Sequence, residues 1–249
     1  MTLELTACTY GYRRRRDPIL RDFSYRVPNG LTVLLGPNGA GKSTFLKIAA
    51  SVIRPSSGEV RLGELAAGTK EFRQAVAWMP QDIVSMPTLS AREYVAYVGW
   101  LKGMNRRDAW SKARRTLHRV GLDEQAGKKT CQLSGGQLRR VGVASALVHG
   151  SQVLLLDEPT AGMDPHQRRV FRDILASLTA EGVNVLLSTH DVADLAEEAD
   201  HVTVLNSGRL LQDGTTAEFF AHTPSETVPG RAAEAAYTAL LSQGARQAA

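Results

Sequence analysis

Residues 36–43 read Gly36-Pro37-Asn38-Gly39-Ala40-Gly41-Lys42-Ser43. A glycine-rich turn of this spacing lets backbone N–H groups converge on an anion, and a helix starting there adds its own unpaired N–H groups. Lys42 is then placed to reach the β- and γ-phosphates of a nucleoside triphosphate and the Ser43 hydroxyl to ligate Mg²⁺, with Thr44 completing the phosphate-binding set. A second constellation, Val153-Leu154-Leu155-Leu156-Asp157-Glu158, is an apolar run ending in two acids. In a parallel sheet such a strand delivers both carboxylates to the edge where phosphates bind. Asp157 suits Mg²⁺, directly or through its outer shell, and Glu158 suits a water molecule that must be oriented or deprotonated. The third is Leu133-Ser134-Gly135-Gly136-Gln137, a serine and two glycines heading a helix. Alone it reads equally well as an ordinary helix cap or as a second anion site. Two anion-binding turns beside a single pair of acids make sense if two copies of the chain each lend one turn to the other's nucleotide.

These groups need strands that end at one edge of a sheet. Leu31–Leu35 is a short apolar strand, followed by the glycine turn and a helical stretch with Phe45, Ile48, Ala49 and Val52 on one face. Strand–turn–helix recurs around further strands at 75–79, 152–157 and 183–189. Asp164-Pro165 supplies a cap and a proline at the first helical position, Val170, Phe171, Ile174, Leu175 and Leu178 a core-facing stripe, and Gly182 the stop. The expected fold class is therefore α/β, with a mostly parallel sheet covered on both faces. Residues 2–8 and 22–27, with Phe23, Tyr25 and Val27 on one side, predict an antiparallel β subdomain. Residues 86–150 carry helical periodicity (Tyr94, Val95, Val98 and Leu101, then Ala113, Leu117 and Val120) and read as a helical lobe inserted between two strands. The main domain is expected over 1–222. An alanine-rich helical tail follows over 223–249, with Ala232, Ala233, Ala236, Tyr237, Leu240 and Leu241 on a face that reads as packing against its own domain, with a dimer contact as the second reading. There is no internal repeat, so one such domain is present.

The 249 residues, 43% of them hydrophobic, are enough to bury a proper core. Thirty basic against 25 acidic residues give a net charge of +5, which suits an anionic ligand or the acidic inner face of a membrane. No nucleic-acid reader motif accompanies it, so nucleic acid is not expected as a partner. The run Arg13-Arg14-Arg15-Arg16 reads as a solvated loop, with a phosphate or lipid contact as the second reading. Cys8 and Cys131 form no metal motif or disulfide framework, which suits a reduced cytosolic setting. Neither a signal peptide nor a membrane span is read, so the chain is expected to be soluble, with any membrane-crossing work done by another chain.

Residues 36–43, the pentapeptide 133–137 and the run 154–158 resemble, in this order, the Walker A, signature and Walker B motifs of ATP-binding-cassette (ABC) ATPases. The likeness covers about residues 3–220. It implies a P-loop NTPase fold of the RecA type, hydrolysis of ATP with Mg²⁺, and a head-to-tail pair of cassettes, homodimer or heterodimer, on the inner face of the membrane beside an integral membrane transporter subunit. It further implies that Gln81 ligates Mg²⁺ and reports to that subunit through residues 82–105, and that Asp164 sits in a loop crossing the pair. His190 of Ser188-Thr189-His190-Asp191 would contact the γ-phosphate. Tyr10 would stack on adenine, with Tyr12 as the runner-up. His118, His149, His166, His201 and His222 read as surface or capping residues. The stretches 89–93 and 162–165 look more like exporter cassettes than importers. The alternatives are a cassette of the same fold serving an assembly process such as iron–sulfur cluster biogenesis, and a DNA-repair or translation ATPase.

Overall fold

The computed structural model describes residues 1–12, 17–192 and 198–247; the run Arg13–Arg16 lies outside them. The chain opens with β1 (Leu3–Tyr10) and β2 (Leu20–Arg26), paired antiparallel. Their alternation buries Leu3, Leu5 and Cys8 on one strand and Leu20, Phe23 and Tyr25 on the other. Next come β3 (Leu31–Leu35), buried along its whole length, and α1 (Lys42–Ala49). A hairpin of β4 (Ser57–Leu62) and β5 (Leu65–Ala66) joins the first two strands in a four-stranded sheet of order β2-β1-β4-β5.

α2 (Lys70–Ala75) leads into β6 (Val76–Met79). Then follow the helices α3 (Ala91–Leu101), α4 (Arg106–Arg119) and α5 (Gly135–Leu147) before the chain returns to β7 (Val153–Asp157). α6 (Pro165–Ala180), β8 (Asn184–Thr189), β9 (His201–Asn206), β10 (Arg209–Thr215), α7 (Thr216–Phe220) and α8 (Ala232–Gln247) complete it. The second sheet has six strands in the order β10-β9-β3-β8-β7-β6. All neighbours are parallel except the edge strand β10, which runs antiparallel to β9.

Period-two alternation divides the buried side chains of this sheet between two cores. Val33 and Leu35 of β3, with Leu154 and Leu156 of β7, face α5, α6, α8 and the helical lobe. Leu34, Leu155 and Leu186 face the other way, onto Phe45, Leu46 and Ile48 of α1 and the antiparallel sheet. The tail helix sits on the first of these cores through Ala233, Ala236 and Leu240. Two expected core residues are not core. Val52 lies beyond the end of α1 and is 52% exposed, and Leu101, the last residue of α3, is 60% exposed. The first periodic run outlasts its helix, and the second ends on the last, solvent-facing turn of its own.

Phe45 ties the antiparallel sheet to α1. Its ring lies 5.4 Å from that of Phe23 and 5.3 Å, edge-on, from that of Tyr25, and the buried Tyr25 hydroxyl shares a 2.8 Å hydrogen bond with Thr203 of β9. Phe45→Ala leaves a cavity where both sheets meet the helix and is expected to cost about 3–5 kcal/mol. Tyr25→Phe removes only the hydroxyl and is expected to cost about 1 kcal/mol. Urea denaturation of the two variants checks the order and the gap.

Candidate active site

Pairing in the parallel sheet fixes which residues meet at its carboxyl edge. Leu35 of β3 lies opposite Thr189 of β8, and Asp157 of β7 opposite Ser188. The three strands therefore end level, and the residues that follow them, Gly36, Glu158 and His190, emerge at the same edge.

The turn after β3 closes tightly. The Ala40 N–H donates to the Pro37 carbonyl at 3.1 Å, and the Gly208 N–H donates to the Ala40 carbonyl at 2.9 Å. A Cβ on Gly36 would stand 2.3 Å from the Leu205 carbonyl oxygen, and Gly41 has φ +107°, so neither position accepts a side chain without strain. Thr69, Ser90, Asn105, Ser134, Asp164 and Thr215 each cap the helix that follows them. α1 instead begins at Gly41 with no side-chain cap. Its first-turn N–H groups have no intrahelical acceptor, and the dipole favours an anion there. The Lys42 ammonium is buried and donates to the carbonyls of Gly36 (2.6 Å) and Pro37 (3.3 Å). Burial pulls its pKa down, and the carboxylates of Glu158 and Asp157 oppose that shift. A strongly anionic ligand would restore the balance.

Asp157 is 4% exposed and one of its carboxylate oxygens, Oδ1, accepts two hydroxyls, Ser43 at 3.0 Å and Ser188 at 2.9 Å. Glu158 adopts φ +46°, rare for a residue with a side chain. Its N–H donates to the carbonyl and the hydroxyl of Ser188, both at 3.1 Å. Arg139 of α5 donates to the Glu158 and Pro159 carbonyls at 3.0 and 3.1 Å. With its backbone so held, Glu158 Oε2 lies 3.4 Å from Gln81 Nε2 and 3.2 Å from His190 Nδ1.

A cavity of about 360 Å³ lies over these groups, lined by residues 37–44, Gln81, Glu158, Ile19 and Tyr12. Tyr12, 41% exposed, borders it; Tyr10 does not. Tyr10 ends β1, packs against the core and meets Tyr12 edge-on at 5.2 Å. Of the two rings named from the sequence, Tyr12 is thus the one at the cavity and Tyr10 the one that packs beneath it. The remaining sequence candidates do not enter this cavity either. Ser134 and Gln137 form a reciprocal capping box at the start of α5 (3.2 and 3.0 Å). Gly136 is buried beneath Gln167, and Asp164 caps α6 by accepting the Gln167 N–H at 2.8 Å. Gly135 is exposed, and a Cβ on it would meet nothing within 4 Å.

Two residues escaped the sequence reading. Ser188 is the hub between Asp157 and Glu158, and Arg139 anchors their turn. Ser188 becomes visible only once the register of β8 against β7 is known, and Arg139 only once α5 is seen to pack beside that turn. Ser43, Asp157 and Gln81 offer hydroxyl, carboxylate and amide oxygens at the phosphate edge, a hard-donor set that fits Mg²⁺. Among the described residues, no group of three or more His, Cys, Asp or Glu residues gathers into a metal site.

A RecA-type sheet whose first strand feeds an uncapped glycine turn, beside a strand ending in Asp-Glu, defines a nucleoside-triphosphate-hydrolysing P-loop protein. Residues 20–161 match the sequence profile of the ABC transporter family. The chain is 30% identical over 216 residues to the linearmycin resistance ATP-binding protein LnrL of Bacillus subtilis (strain 168), covering 86% of this chain and 70% of that one. It is 34% identical over 247 residues to the methionine import ATP-binding protein MetN of Caulobacter vibrioides, covering 94% and 74%. A cassette solved as a dimer in a post-hydrolysis state with ADP and phosphate superposes with a TM-score of 0.75, at 25% identity over 86% of this chain and 98% of that one. The chain belongs to the ABC transporter family, as an ATP-binding and ATP-hydrolysing subunit.

Gly36→Ala forces the turn away from Leu205 and is expected to weaken ATP binding at least about tenfold, the equivalent of some 1.4 kcal/mol. Gly135→Ala has room and is expected to leave stability within about 0.5 kcal/mol and the ATP affinity of the isolated chain unchanged. Titration with a fluorescent ATP analogue and a thermal melt of each variant check both outcomes.

Proposed function

We propose that this subunit powers a membrane transporter as one of a head-to-tail pair of cassettes, with each residue in the role that follows. The turn N–H groups and Lys42 hold the β- and γ-phosphates. Glu158 orients and deprotonates the attacking water. His190, within reach of Glu158, contacts the γ-phosphate, and Gln81 closes the same corner. Tyr12, in place of Tyr10, stacks on adenine. Ser43, Asp157 and Gln81 hold Mg²⁺, which when bound neutralises charge on the phosphates. The observation that carries this reading is the meeting of Gln81 Nε2 and His190 Nδ1 on one oxygen of Glu158, over an uncapped phosphate turn.

The second copy supplies Ser134, Gly135, Gly136 and Gln137, with the loop at Asp164 crossing between the copies. An exposed glycine with no neighbour to require it, at the head of a helix, supports this: the close approach it permits is to something outside its own chain.

The membrane subunit docks in the groove of about 250 Å³ between the strand leading to Gln81 and the helical lobe, lined by Trp78, Ile83, Tyr94, Val98 and His149. Both ring nitrogens of His149 are buried there without a partner. Burial and the nearby Lys102 and Lys112 lower the His149 pKa to about 4. His149 is thus no surface or capping residue; unmet polar groups on a groove floor favour an incoming partner that satisfies them. Among the described residues no helix is long and apolar enough to cross a membrane, in keeping with a subunit peripheral to the inner face. Outward transport is the direction we favour, on residues 89–93 and 162–165 and the likeness to a resistance protein. Several relatives are named as transporter ATP-binding proteins and another as an import ATP-binding protein, which favours a transporter over an assembly ATPase.

Glu158→Gln keeps the phosphate contacts and removes the base; it is expected to bind ATP, to lose about 10²–10⁴-fold in turnover and to elute as a dimer with ATP trapped. Near-normal turnover would remove Glu158 from its role. Purified heterodimers test the pairing. Lys42→Ala in one chain opposite Gly135→Asp in its partner puts both lesions in one composite site and should leave the other able to occlude ATP. Both substitutions in one chain, beside a wild-type partner, damage both sites and should abolish occlusion. Equal occlusion in the two arrangements would refute the shared sites.

A further inference from the structure

Ten large hydrophobic side chains are exposed among the described residues, and Tyr97 (38%), Trp100 (47%), Leu101 (60%) and Trp110 (44%) belong to α3 and α4 alone. Between these helices runs an open groove of about 500 Å³ whose walls are Tyr97, Trp100 and Trp110 over Ala96 and Ala109. Tyr97 and Trp100 stack, with ring centroids 6.0 Å apart.

Around the aromatic walls the charge is almost all positive. The Arg92 guanidinium lies 3.9 Å over the Trp110 ring and donates to the Trp110 carbonyl. Arg106 and Arg114 stand one turn before and one turn after Trp110 on the same face of α4. Arg106 lines the groove, and Arg114 is near enough to Arg92 to repel it. The lone acid of the lining, Glu93, is already engaged by the Ser90 N–H at 2.7 Å and by Lys129 at 3.7 Å. Asp108, the one acid of α4, is held by Asn105 at 2.7 Å. Neither is available to neutralise the guanidiniums.

Exposed indoles and a phenol at the level of unpaired guanidiniums make a surface suited to the headgroup layer of an anionic bilayer. Trp and Tyr favour that layer, and arginine takes phosphate oxygens in pairs. A nucleic-acid strand also uses rings and arginine, but it has no use for Leu101, the most exposed of the four. We propose that the α3–α4 face of the lobe rests on phosphate-bearing anionic lipid, Trp100 and Trp110 entering the headgroup layer and Arg106 and Arg114 pairing with phosphates. α3 also lends Tyr94 and Val98 to the neighbouring groove of the Gln81 side, so one helix borders both surfaces. The lipid contact rests on the lobe's own surface and stands or falls apart from the roles given to the nucleotide-site residues.

The test is sedimentation of the full chain with vesicles of phosphatidylglycerol and phosphatidylcholine in equal parts, against pure phosphatidylcholine. Binding is expected only to the first, weakening as salt is raised, with a blue shift in tryptophan emission. Trp100→Ser with Trp110→Ser should abolish the shift. Arg106→Gln with Arg114→Gln should lower vesicle affinity ~30-fold, at about one step of some fivefold per arginine. Both variants should keep the thermal midpoint and ATP hydrolysis of the parent. Equal binding to the two vesicle types, or binding unmoved by either pair of substitutions, would overturn the proposal. So would a single-stranded oligonucleotide that competes the chain off the vesicles.

Discussion

The level ending of β3, β7 and β8 is the constraint on which the site depends. Strand pairing advances in whole residues, and the register that sets Asp157 beside Ser188 and Leu35 beside Thr189 brings three loops to one line. Slipping β7 by one residue would turn Asp157 away from Ser43 and carry Leu154 and Leu156 into the wrong core. Hydrophobic burial of two interleaved faces therefore guards the geometry of the candidate site.

The two faces of the sheet carry different duties. On one, the antiparallel sheet and α1 share the cluster of Phe23, Tyr25 and Phe45, which seats the phosphate turn and the segment bearing Tyr12 and Ile19. On the other, α5 runs from the Ser134 cap through Arg139, whose guanidinium grips the backbone of Glu158 and Pro159. The helix that begins with the exposed glycine is thus bonded directly to the turn that holds the carboxylate. A displacement of the helix start has a short, stiff path to Glu158.

Much of this was legible in the residue order, for identifiable reasons. Gly36–Ser43 and Leu154–Glu158 are contiguous motifs whose chemistry depends on local backbone, and the parallel strands announced themselves as short apolar runs. The hairpin of β4 and β5 and the pair β9 and β10 were not read. β4 and β5 are partly exposed, so they lack both an apolar run and a clean alternation. The contacts of Ser188 and Arg139 span 19 to 31 residues, and the place of Tyr12 beside the cavity comes from the lean of a loop. No local pattern encodes either. His149 failed for a related reason: a histidine near a helix end looks solvent-facing until the neighbouring lobe is seen to cover it.

Glu158 sits in a left-handed conformation that costs a side-chain-bearing residue about 1–3 kcal/mol, a sizeable fraction of a domain's net stability. Glycine would adopt the same backbone without penalty. A search for thermostable variants that scored folding alone would thus be drawn to this position, and under the role proposed for Glu158 its gain would cost turnover. An acid in so unfavourable a backbone is, on that proposal, a trade of robustness for reactivity, confined to one residue and anchored by three hydrogen-bonding neighbours, Ser188, Arg139 and Gln81.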